Sequence, residues 1–360
     1  MAGELKAEIS KDFVTGLADG LGKITTDFAV DQFVQSVLDS SWETLELKAR
    51  IHHVAHQLGV FLPNHYPDAI DVLKTISGEH GGLQSLIFPD FVEQFGLEYW
   101  DESMCALAEF TSLSSSEFAV RPFIRLDEGT MMAQMLAWAD SDNFHIRRLA
   151  SEGCRSRLPW ASPLRRFIAD PEPVLPILEK LKDDPEIFVR RSVANNLNDI
   201  SKDHPALALE LSARWIGESE EVDWVVKHGL RTLLKQGDTK ALQLFGYGSP
   251  SNVSINSLNF SGAQPLIGAS TYFEFDLFLS GKEAQKLRIE YEMFFLKANG
   301  SLSRKVFQIR ESAFEPGKYS MAKKHSFRQM TTRKHYPGRH ELAVCVNGQE
   351  LARVSFDLLP

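Results

Sequence analysis

Two stretches near the middle of the chain resemble each other and set the period of its amino-terminal part. Residues 143–155 and 186–199 each follow a polar turn and continue as an amphipathic helix with a double arginine near its start. Placing Ile146 on Val189 gives a period of 43 residues, and a weaker copy at 223–231 follows 36 residues later. One turn and one helix at such a period predict a helical solenoid.

A solenoid of this period is of the HEAT or armadillo kind, and its repeat places particular side chains on one face. Arg148, Arg191 and Lys227 occupy equivalent positions, and Glu152 and Asn195 follow the first two after four residues. Because residues four apart share one helical stripe, successive helices present a cation and then a polar group. Such a face is either solvated, with ion pairs inside each helix, or a binding surface. The second repeat keeps several residues of low helix propensity, which favours the binding surface.

Beyond residues 246–250, which are typical of a linker, the apolar period changes from the helical value to two. Short alternating segments follow one another, and the sequence Val346-Asn-Gly-Gln is typical of a hairpin turn. About seven short strands in roughly 110 residues predict an antiparallel β-sandwich of immunoglobulin size. We therefore expect a multidomain chain, with an all-α HEAT-like repeat solenoid over 1–246 and an all-β immunoglobulin-like sandwich over 250–360.

The charge of the chain is unevenly divided. The net charge of −9 argues at first against a nucleic-acid ligand, since nucleic-acid binders are usually basic. Residues 250–360, however, hold 15 Lys and Arg against 10 Asp and Glu, and residues 317–340 combine lysines, arginines and histidines with no acidic residue. This basic segment is either a generic surface loop or a contact for a phosphate backbone, and we favour the backbone contact. Its candidate DNA-binding residues are Lys323, Lys324, Arg328, Arg333 and Lys334.

Two motifs in the repeats resemble a known family. They are Arg148-x-x-x-Glu152-Gly-Cys-Arg-x-Arg-Leu-Pro-Trp160 and Val189-Arg-Arg-Ser-Val-Ala-Asn-Asn-Leu-Asn-Asp199. Together they are similar to the AlkC branch of the HEAT-like-repeat DNA alkylation repair glycosylases, to which the AlkD branch is related. The resemblance covers most of the chain, including a carboxy-terminal immunoglobulin-like domain that a subset of AlkC proteins has.

The resemblance implies a reaction and a set of site residues. The reaction is hydrolysis of the N-glycosidic bond of a cationic alkylated base in double-stranded DNA, without full base flipping. N3-methyladenine is the expected base and N3-methylcytosine a further candidate. Glu152, Asp199 and Glu117 are the candidate catalytic carboxylates, which would oppose positive charge on the sugar and accept a proton from water. Arg148 would hold a backbone phosphate and Trp160 would contact the damaged nucleotide.

Alternative explanations remain for some of these residues and for the function. Ser114-x-x-Glu117 fits a helix capping box, and a tryptophan between prolines, such as Trp160, commonly packs as a hydrophobic staple. Arg191, Asn195 and Lys227 are further DNA-binding candidates. Asn195 stands where AlkD-like proteins have a tryptophan, so the detailed AlkD site is not carried over. The alternative function is a non-catalytic HEAT-repeat scaffold that binds DNA or protein.

The rest of the sequence bears on cofactors, chemistry and location. No lysine is implicated as a nucleophile, so we expect a monofunctional enzyme without lyase activity. His52, His53 and His56 lack a neighbouring third ligand, so we expect no metal, and we expect no other cofactor. No apolar run reaches the roughly 18 residues of a membrane span, and the start lacks a signal-peptide layout. Three separated cysteines suit a cytoplasmic protein, which we expect to be a monomer.

Overall fold

The computed structural model describes residues 5–261, 264–329 and 334–360. The chain forms two compact units. The first runs to Ala208 and includes Arg214–Gly229, and the second comprises Leu209–Ala213 and Leu230–Pro360. Helices make up the first unit, and antiparallel strands make up most of the second. The predicted fold class is confirmed.

Helices occupy most of the chain up to residue 244. Within the described residues they are α1 Lys11–Ile24, α2 Val30–Val37, α3 Leu47–Phe61, α4 Tyr66–Ser77, α5 Ile87–Phe95, α6 Trp100–Phe110, α7 Val120–Leu126, α8 Glu128–Trp138, α9 Phe144–Gly153, α10 Arg165–Ala169, α11 Leu175–Leu181, α12 Ile187–Asp203, α13 Pro205–Trp215, α14 Glu220–Gly229, α15 Arg231–Gln236 and α16 Thr239–Leu244. Short 3-10 turns lie at Trp42–Thr44, Gln84–Leu86 and Glu172–Val174.

Several helices begin at residues whose side chains satisfy free backbone amides. Ser10, Asp127 and Asn143 each accept a hydrogen bond from an amide in the first turn of α1, α8 and α9. These residue types are preferred at this position because the first amides of a helix have no intrahelical acceptor. Pro67 lies in the first turn of α4, where its missing N–H costs nothing.

The two arginines of each predicted pair have different roles. Arg147 and Arg190 both fold back and donate to the carbonyl oxygens of residues five and six positions earlier, at distances between 2.6 and 3.0 Å. Arg147 also forms an ion pair with Asp184, with Nε 2.6 Å from Oδ2. The first arginine therefore fixes the turn that precedes its helix. The second arginine, Arg148 or Arg191, does not take part in these turn contacts and lies on the face of its helix.

Helix α12 packs against α9 on one side and against α14 on the other. At the second crossing a Cβ on Gly229 would lie 2.5 Å from the side chain of Leu197, so only glycine allows this approach. At the first crossing the Asn196 amide donates to the Ser151 carbonyl oxygen over 2.9 Å. Asn196 and Asn198 are buried. The expectation that the asparagines of this repeat mark a binding surface is therefore wrong for these two.

The second unit is a sandwich of two antiparallel sheets. Its strands are β1 Val253–Ser261, β2 Ser270–Leu279, β3 Gln285–Leu296, β4 Leu302–Phe314, β5 Gly317–Ser326, β6 Gly338–Val346 and β7 Gln349–Leu358. The sheet orders are β1-β2-β5 and β4-β3-β6-β7. Asn347 and Gly348 both have positive φ, at 46° and 76°, and form the predicted two-residue hairpin turn.

The segment that precedes the strands is anchored to the sandwich. The Asn347 side chain donates to the Gly248 carbonyl oxygen over 2.8 Å, and the Lys286 ammonium donates to the Phe245 carbonyl oxygen over 3.0 Å. Residues 230–250 accordingly belong to the second compact unit. The domain limits at 246 and 250 stay predictions.

Candidate functional site

The three predicted carboxylates lie close together and are joined by cations. Glu152 is near the end of α9, Asp199 is in α12, and Glu117 precedes α7. Arg155 Nη1 lies 2.6 Å from a Glu152 oxygen, and Arg155 Nε lies 2.9 Å from Asp199 Oδ2. The other Asp199 oxygen is 2.8 Å from Lys202 Nζ. Glu152 is 5% exposed and Asp199 is 1% exposed, so both need these partners.

Arg148 completes the group from the other side. Its guanidinium binds Glu117, lies 2.9 Å from the Ser115 hydroxyl and approaches Glu152 to 3.6 Å. The same guanidinium stands 4.9 Å from the centre of the Phe188 ring, at cation–π distance. We define the carboxylate cluster by its three anions and three cations. They are Glu117, Glu152, Asp199, Arg148, Arg155 and Lys202.

Arg155 is a site residue that was not predicted from the sequence. Burial lowers the pKa of its guanidinium, but the carboxylates of Glu152 and Asp199 outweigh burial, and the pKa is raised. Arg155 therefore stays charged and holds two carboxylates from different repeats at a fixed separation. Its place three residues after Glu152 is the sequence feature that could have indicated the contact.

The capping box predicted for Glu117 is absent. Helix α7 begins at Val120, and Ala119, which precedes it, makes no side-chain cap. Glu117 instead accepts a hydrogen bond of 2.6 Å from the Ser115 hydroxyl and binds Arg148. The prediction is wrong because the chain forms turns at 111–119, so Glu117 lies before the helix rather than inside it.

Trp160 stands out from the surface next to the cluster. Its side chain is 61% exposed, and its φ of 64° is in the left-handed region that favours glycine. The interpretation as a packed hydrophobic staple is therefore wrong. The ammonium of Lys48 donates to the Trp160 carbonyl oxygen over 2.7 Å, across 112 residues of sequence.

A second cation holds the rest of this loop, residues 154–164. Arg121 is 2% exposed and donates to the carbonyl oxygens of Gly153, Arg155 and Ser162 over 3.1, 2.8 and 2.8 Å. Burial lowers the pKa of Arg121 to about 10, which leaves it charged at neutral pH. Cations of α3 and α7 thus hold the loop that carries Trp160.

The remaining predicted residues of the helical unit lie outside the carboxylate cluster. Arg191 and Lys227 are exposed on α12 and α14, and Asn195 is half-buried on α12. Arg191 is the fifth residue of α12, as Arg148 is of α9, whereas Lys227 is the eighth residue of α14. None of the three residues is among the six that define the cluster. Their roles in DNA binding stay predictions.

The first part of the basic segment forms strand β5, and most of its other described residues lie outside the strands. Lys323 and Lys324 are neighbours on β5 and point to opposite faces of the sheet, with Lys323 half-buried and Lys324 exposed. Arg328 and Lys334 are exposed outside the strands, and Arg333 lies outside the described residues. Among the described residues of the segment, Lys323 and Lys324 therefore do not lie on one face of the sheet.

The histidines of the same segment do not add charge to the surface. His325, His335 and His340 are all at most 4% exposed and lie among the phenylalanines of the sandwich core. Burial lowers the pKa of His340, so its ring is neutral at pH 7. The prediction that these histidines contribute to a basic surface is therefore wrong.

The described ranges of the chain hold no cluster of metal ligands. No group of three or more His, Cys, Asp or Glu side chains in them could bind a metal ion. Within the same ranges, none of the helices has both the length and the apolar character needed to cross a bilayer.

Comparisons with known proteins agree over the whole chain. A family model described as DNA alkylation repair enzyme matches residues 114–214, and the C-terminal Ig-like domain of Uncharacterised protein YhaZ matches 254–360. Uncharacterized protein YhaZ of Bacillus subtilis (strain 168) is 42% identical over 356 residues, which is 99% of both chains. The solved Pseudomonas fluorescens alkylpurine DNA glycosylase AlkC, bound to DNA containing an abasic site analog, covers 99% of both chains with 36% identity and a TM-score of 0.96.

The chain belongs to the AlkC family. The resemblance stated from the two motifs is confirmed. In this member of the family, the repair-enzyme match at 114–214 contains all three carboxylates, Arg148 and Trp160. The Ig-like match at 254–360 contains the basic segment.

Proposed function

We propose that this AlkC-family protein is a monofunctional DNA glycosylase that removes N3-methyladenine from double-stranded DNA. The carboxylate cluster is the observation that carries the proposal. It places three carboxylates around shared cations inside the stretch that matches DNA alkylation repair enzymes. The likeness to an AlkC solved with DNA that contains an abasic site analog supports DNA as the substrate.

The proposed reaction needs little help at the leaving group. An N3-methylated adenine carries a positive charge, takes the bonding electron pair and departs as a neutral base without an acid. The sugar then has oxocarbenium character, which nearby carboxylates stabilise. Water adds to the anomeric carbon, and its proton passes to a carboxylate acting as general base.

The positions of Glu152 and Asp199 suit this chemistry. Both are buried against Arg155, which holds them at a fixed distance from each other. Preorganised charges in a site with little water act more strongly than charges in solution. We assign stabilisation of the sugar and orientation of the water to this pair, with Glu117 as the third candidate.

In this proposal, DNA binding changes the net charge of the carboxylate cluster through Arg148. Without DNA its guanidinium neutralises Glu117 and approaches Glu152. A backbone phosphate competes for the same guanidinium, since arginine binds phosphate in the same two-pronged manner as carboxylate. When Arg148 turns to the phosphate, the cluster is left with one more negative charge than positive charge beside the sugar.

Trp160 and the exposed cations complete the proposed DNA contact. The exposed face of Trp160 contacts the damaged nucleotide while the base stays in the helix, without full flipping. Arg191 and Lys227 in the helical unit bind the backbone, with Asn195 beside them. In the immunoglobulin-like unit the exposed Lys324, Arg328 and Lys334 bind the backbone, together with the half-buried Lys323.

The test is release of free N3-methyladenine from methylated DNA under single-turnover conditions. We expect wild-type protein to release the base, and Glu152→Gln or Asp199→Asn to slow release by about 10²–10⁴-fold, the usual contribution of a general base. Asp203→Asn is the matched control, because Asp203 is in the same helix and its carboxylate pairs at 2.7 Å with Arg157, which is not a member of the cluster. Wild-type protein that binds methylated DNA and releases no base would leave only the scaffold function.

A further inference from the structure

A cleft of about 320 Å3 lies beside the carboxylate cluster in the helical unit. Helix α3 contributes Lys48, α5 contributes Glu93, and the turns before α7 contribute Ser115 and Phe118. Trp160 lines the cleft as well. Ser115 belongs to both sites, because its hydroxyl also contacts two members of the cluster. The volume is within the range of about 300–1,000 Å3 that is usual for small-molecule sites.

Glu93 has hydrogen-bonding capacity that the protein does not use. Its carboxyl makes no hydrogen bond or ion pair with the described residues, although it is half-buried. Asp90, one turn earlier, is by contrast occupied by Gln94 at 2.7 Å and by His52 at 3.1 Å. Burial and the nearby Asp90 charge raise the pKa of Glu93 to about 7. A carboxyl in this partly desolvated state can accept a hydrogen bond from a ligand that enters the cleft.

The other walls of the cleft are flat and largely apolar. Phe118 presents its ring, with the Lys48 ammonium 4.6 Å from the ring centre. Trp160 is held at the rim by its carbonyl contact with the same ammonium. Aromatic walls bind nucleobases by stacking, and a carboxylate accepts hydrogen bonds from an exocyclic amino group. The combination matches a purine that carries an amino group.

We propose that this cleft receives the free base after excision and binds it through an amino group that donates to Glu93. The proposal rests on the proposed glycosylase function for the identity of the base. It adds a product site that is distinct from the cluster and shares Ser115 and Trp160 with it. The departing base is neutral, so neither Lys48 nor Asp90 opposes its passage into the cleft.

The test is equilibrium dialysis of the full-length protein at pH 8 with adenine, N3-methyladenine and hypoxanthine as separate probes. Hypoxanthine has the size of adenine but presents a carbonyl oxygen in place of the amino group. We expect one saturable site, with adenine and N3-methyladenine bound at least tenfold more tightly than hypoxanthine. Glu93→Leu should abolish this preference. Glu98→Leu, at an exposed position outside the cleft, should keep it.

A second variant checks the location of the site. Ala49 lines the cleft at an exposed helix position, so Ala49→Trp should fill the space without disturbing the core and should block binding of all three probes. The proposal is overturned if no probe binds saturably, or if Glu93→Leu keeps the preference for amino-bearing bases.

Base release measured in parallel separates this proposal from the proposed function. Wild-type protein that excises N3-methyladenine but binds no free base overturns only the cleft. Wild-type protein that binds the bases but excises none overturns the glycosylase and leaves a nucleobase site.

Discussion

Arg155 is the residue on which the geometry of the candidate site depends. It is buried, and its guanidinium connects a carboxylate of α9 with a carboxylate of α12. Removing one partner of such a buried pair typically costs about 3–5 kcal/mol, because a charge is left without compensation. The site therefore has a structural requirement that is separate from its proposed chemistry. Conservative changes such as Asp199→Asn are better probes than truncation of Arg155.

The raised pKa of Glu93 predicts how the free energy of unfolding depends on pH. Burial and Asp90 raise the pKa of this carboxyl from its ordinary 4.5 to about 7. The folded state thus binds the proton more tightly, so the stabilisation is complete below pH 4.5 and is lost as pH rises through 7. Glu93→Gln removes this loss. Relative to wild type, its free energy of unfolding should rise by roughly 1–2 kcal/mol between pH 4.5 and 8, allowing for solvent screening.

Urea denaturation at both pH values measures this difference directly. Glu98→Gln serves as the control, because Glu98 is exposed and its substitution should leave the pH dependence unchanged. A Glu93→Gln variant whose stability relative to wild type is the same at pH 4.5 and pH 8 would contradict the assignment.

At the scale of single residues the sequence indicated which side chains to consider but not how they are held. The motifs named Glu152, Asp199, Arg148 and Trp160, and the catalytic roles of these residues stay predictions. The contact from Lys48 to Trp160 spans 112 residues, and no local pattern encodes it. The same is true of a cleft formed by four separate segments of chain, which lie in α3, in and before α5, before α7 and at Trp160.

At the scale of elements, the helical repeat was the most predictable feature. Its 43-residue period reflects a turn fixed by Arg147 or Arg190 and a helix that packs on its neighbour. The sequence did not distinguish a polar residue that faces solvent from one that serves packing. Asn196 is an example, since its amide satisfies a carbonyl oxygen of the adjacent helix.

Strand β5 was harder to predict from the sequence. Its side chains alternate between half-buried and exposed positions, but the alternation of apolar and polar residues that usually indicates a strand is weak. Tyr319, Met321, Lys323 and His325 face one way, and His325 is the only one of them that is buried. Its lysines therefore resemble those of a basic loop when the sequence is considered alone. Pairing with β2 along its whole length fixes it as a strand.

This division of the basic segment leads to a prediction for DNA affinity. Lys324 and Lys334 are exposed, whereas Lys318 forms an ion pair with Asp276 over 2.9 Å. If the exposed cations bind phosphates, changing Lys324 and Lys334 together to Ala should weaken DNA binding. It should also reduce the slope of log affinity against log salt by about 0.9 for each phosphate that is no longer neutralised.

Titration of DNA binding at several salt concentrations measures the slope. Lys318→Ala is the matched control on the same strand as Lys324, and its slope should stay close to that of wild type because Asp276 already neutralises Lys318. A double variant with the wild-type slope would exclude the two exposed lysines from the DNA interface.

At the scale of the whole molecule, the charge distribution is consistent with a DNA-binding protein of negative net charge. Cations exceed acidic residues in 250–360, while the acidic remainder pairs Arg148, Arg155 and Lys202 with the carboxylates of the cluster. The cluster has equal numbers of positive and negative groups. Withdrawal of Arg148 by a phosphate would make it negative only where the backbone is bound.

The central claim is that this cluster stabilises a positively charged sugar. The most direct measurement compares the affinity for DNA that carries a cationic pyrrolidine sugar mimic with the affinity for DNA that carries a neutral tetrahydrofuran abasic site. We predict that wild-type protein binds the cationic mimic at least 10²-fold more tightly, as expected for a transition-state analogue, and that Asp199→Asn loses most of this preference. Equal affinities in wild type, or an undiminished preference in Asp199→Asn, would contradict the claim.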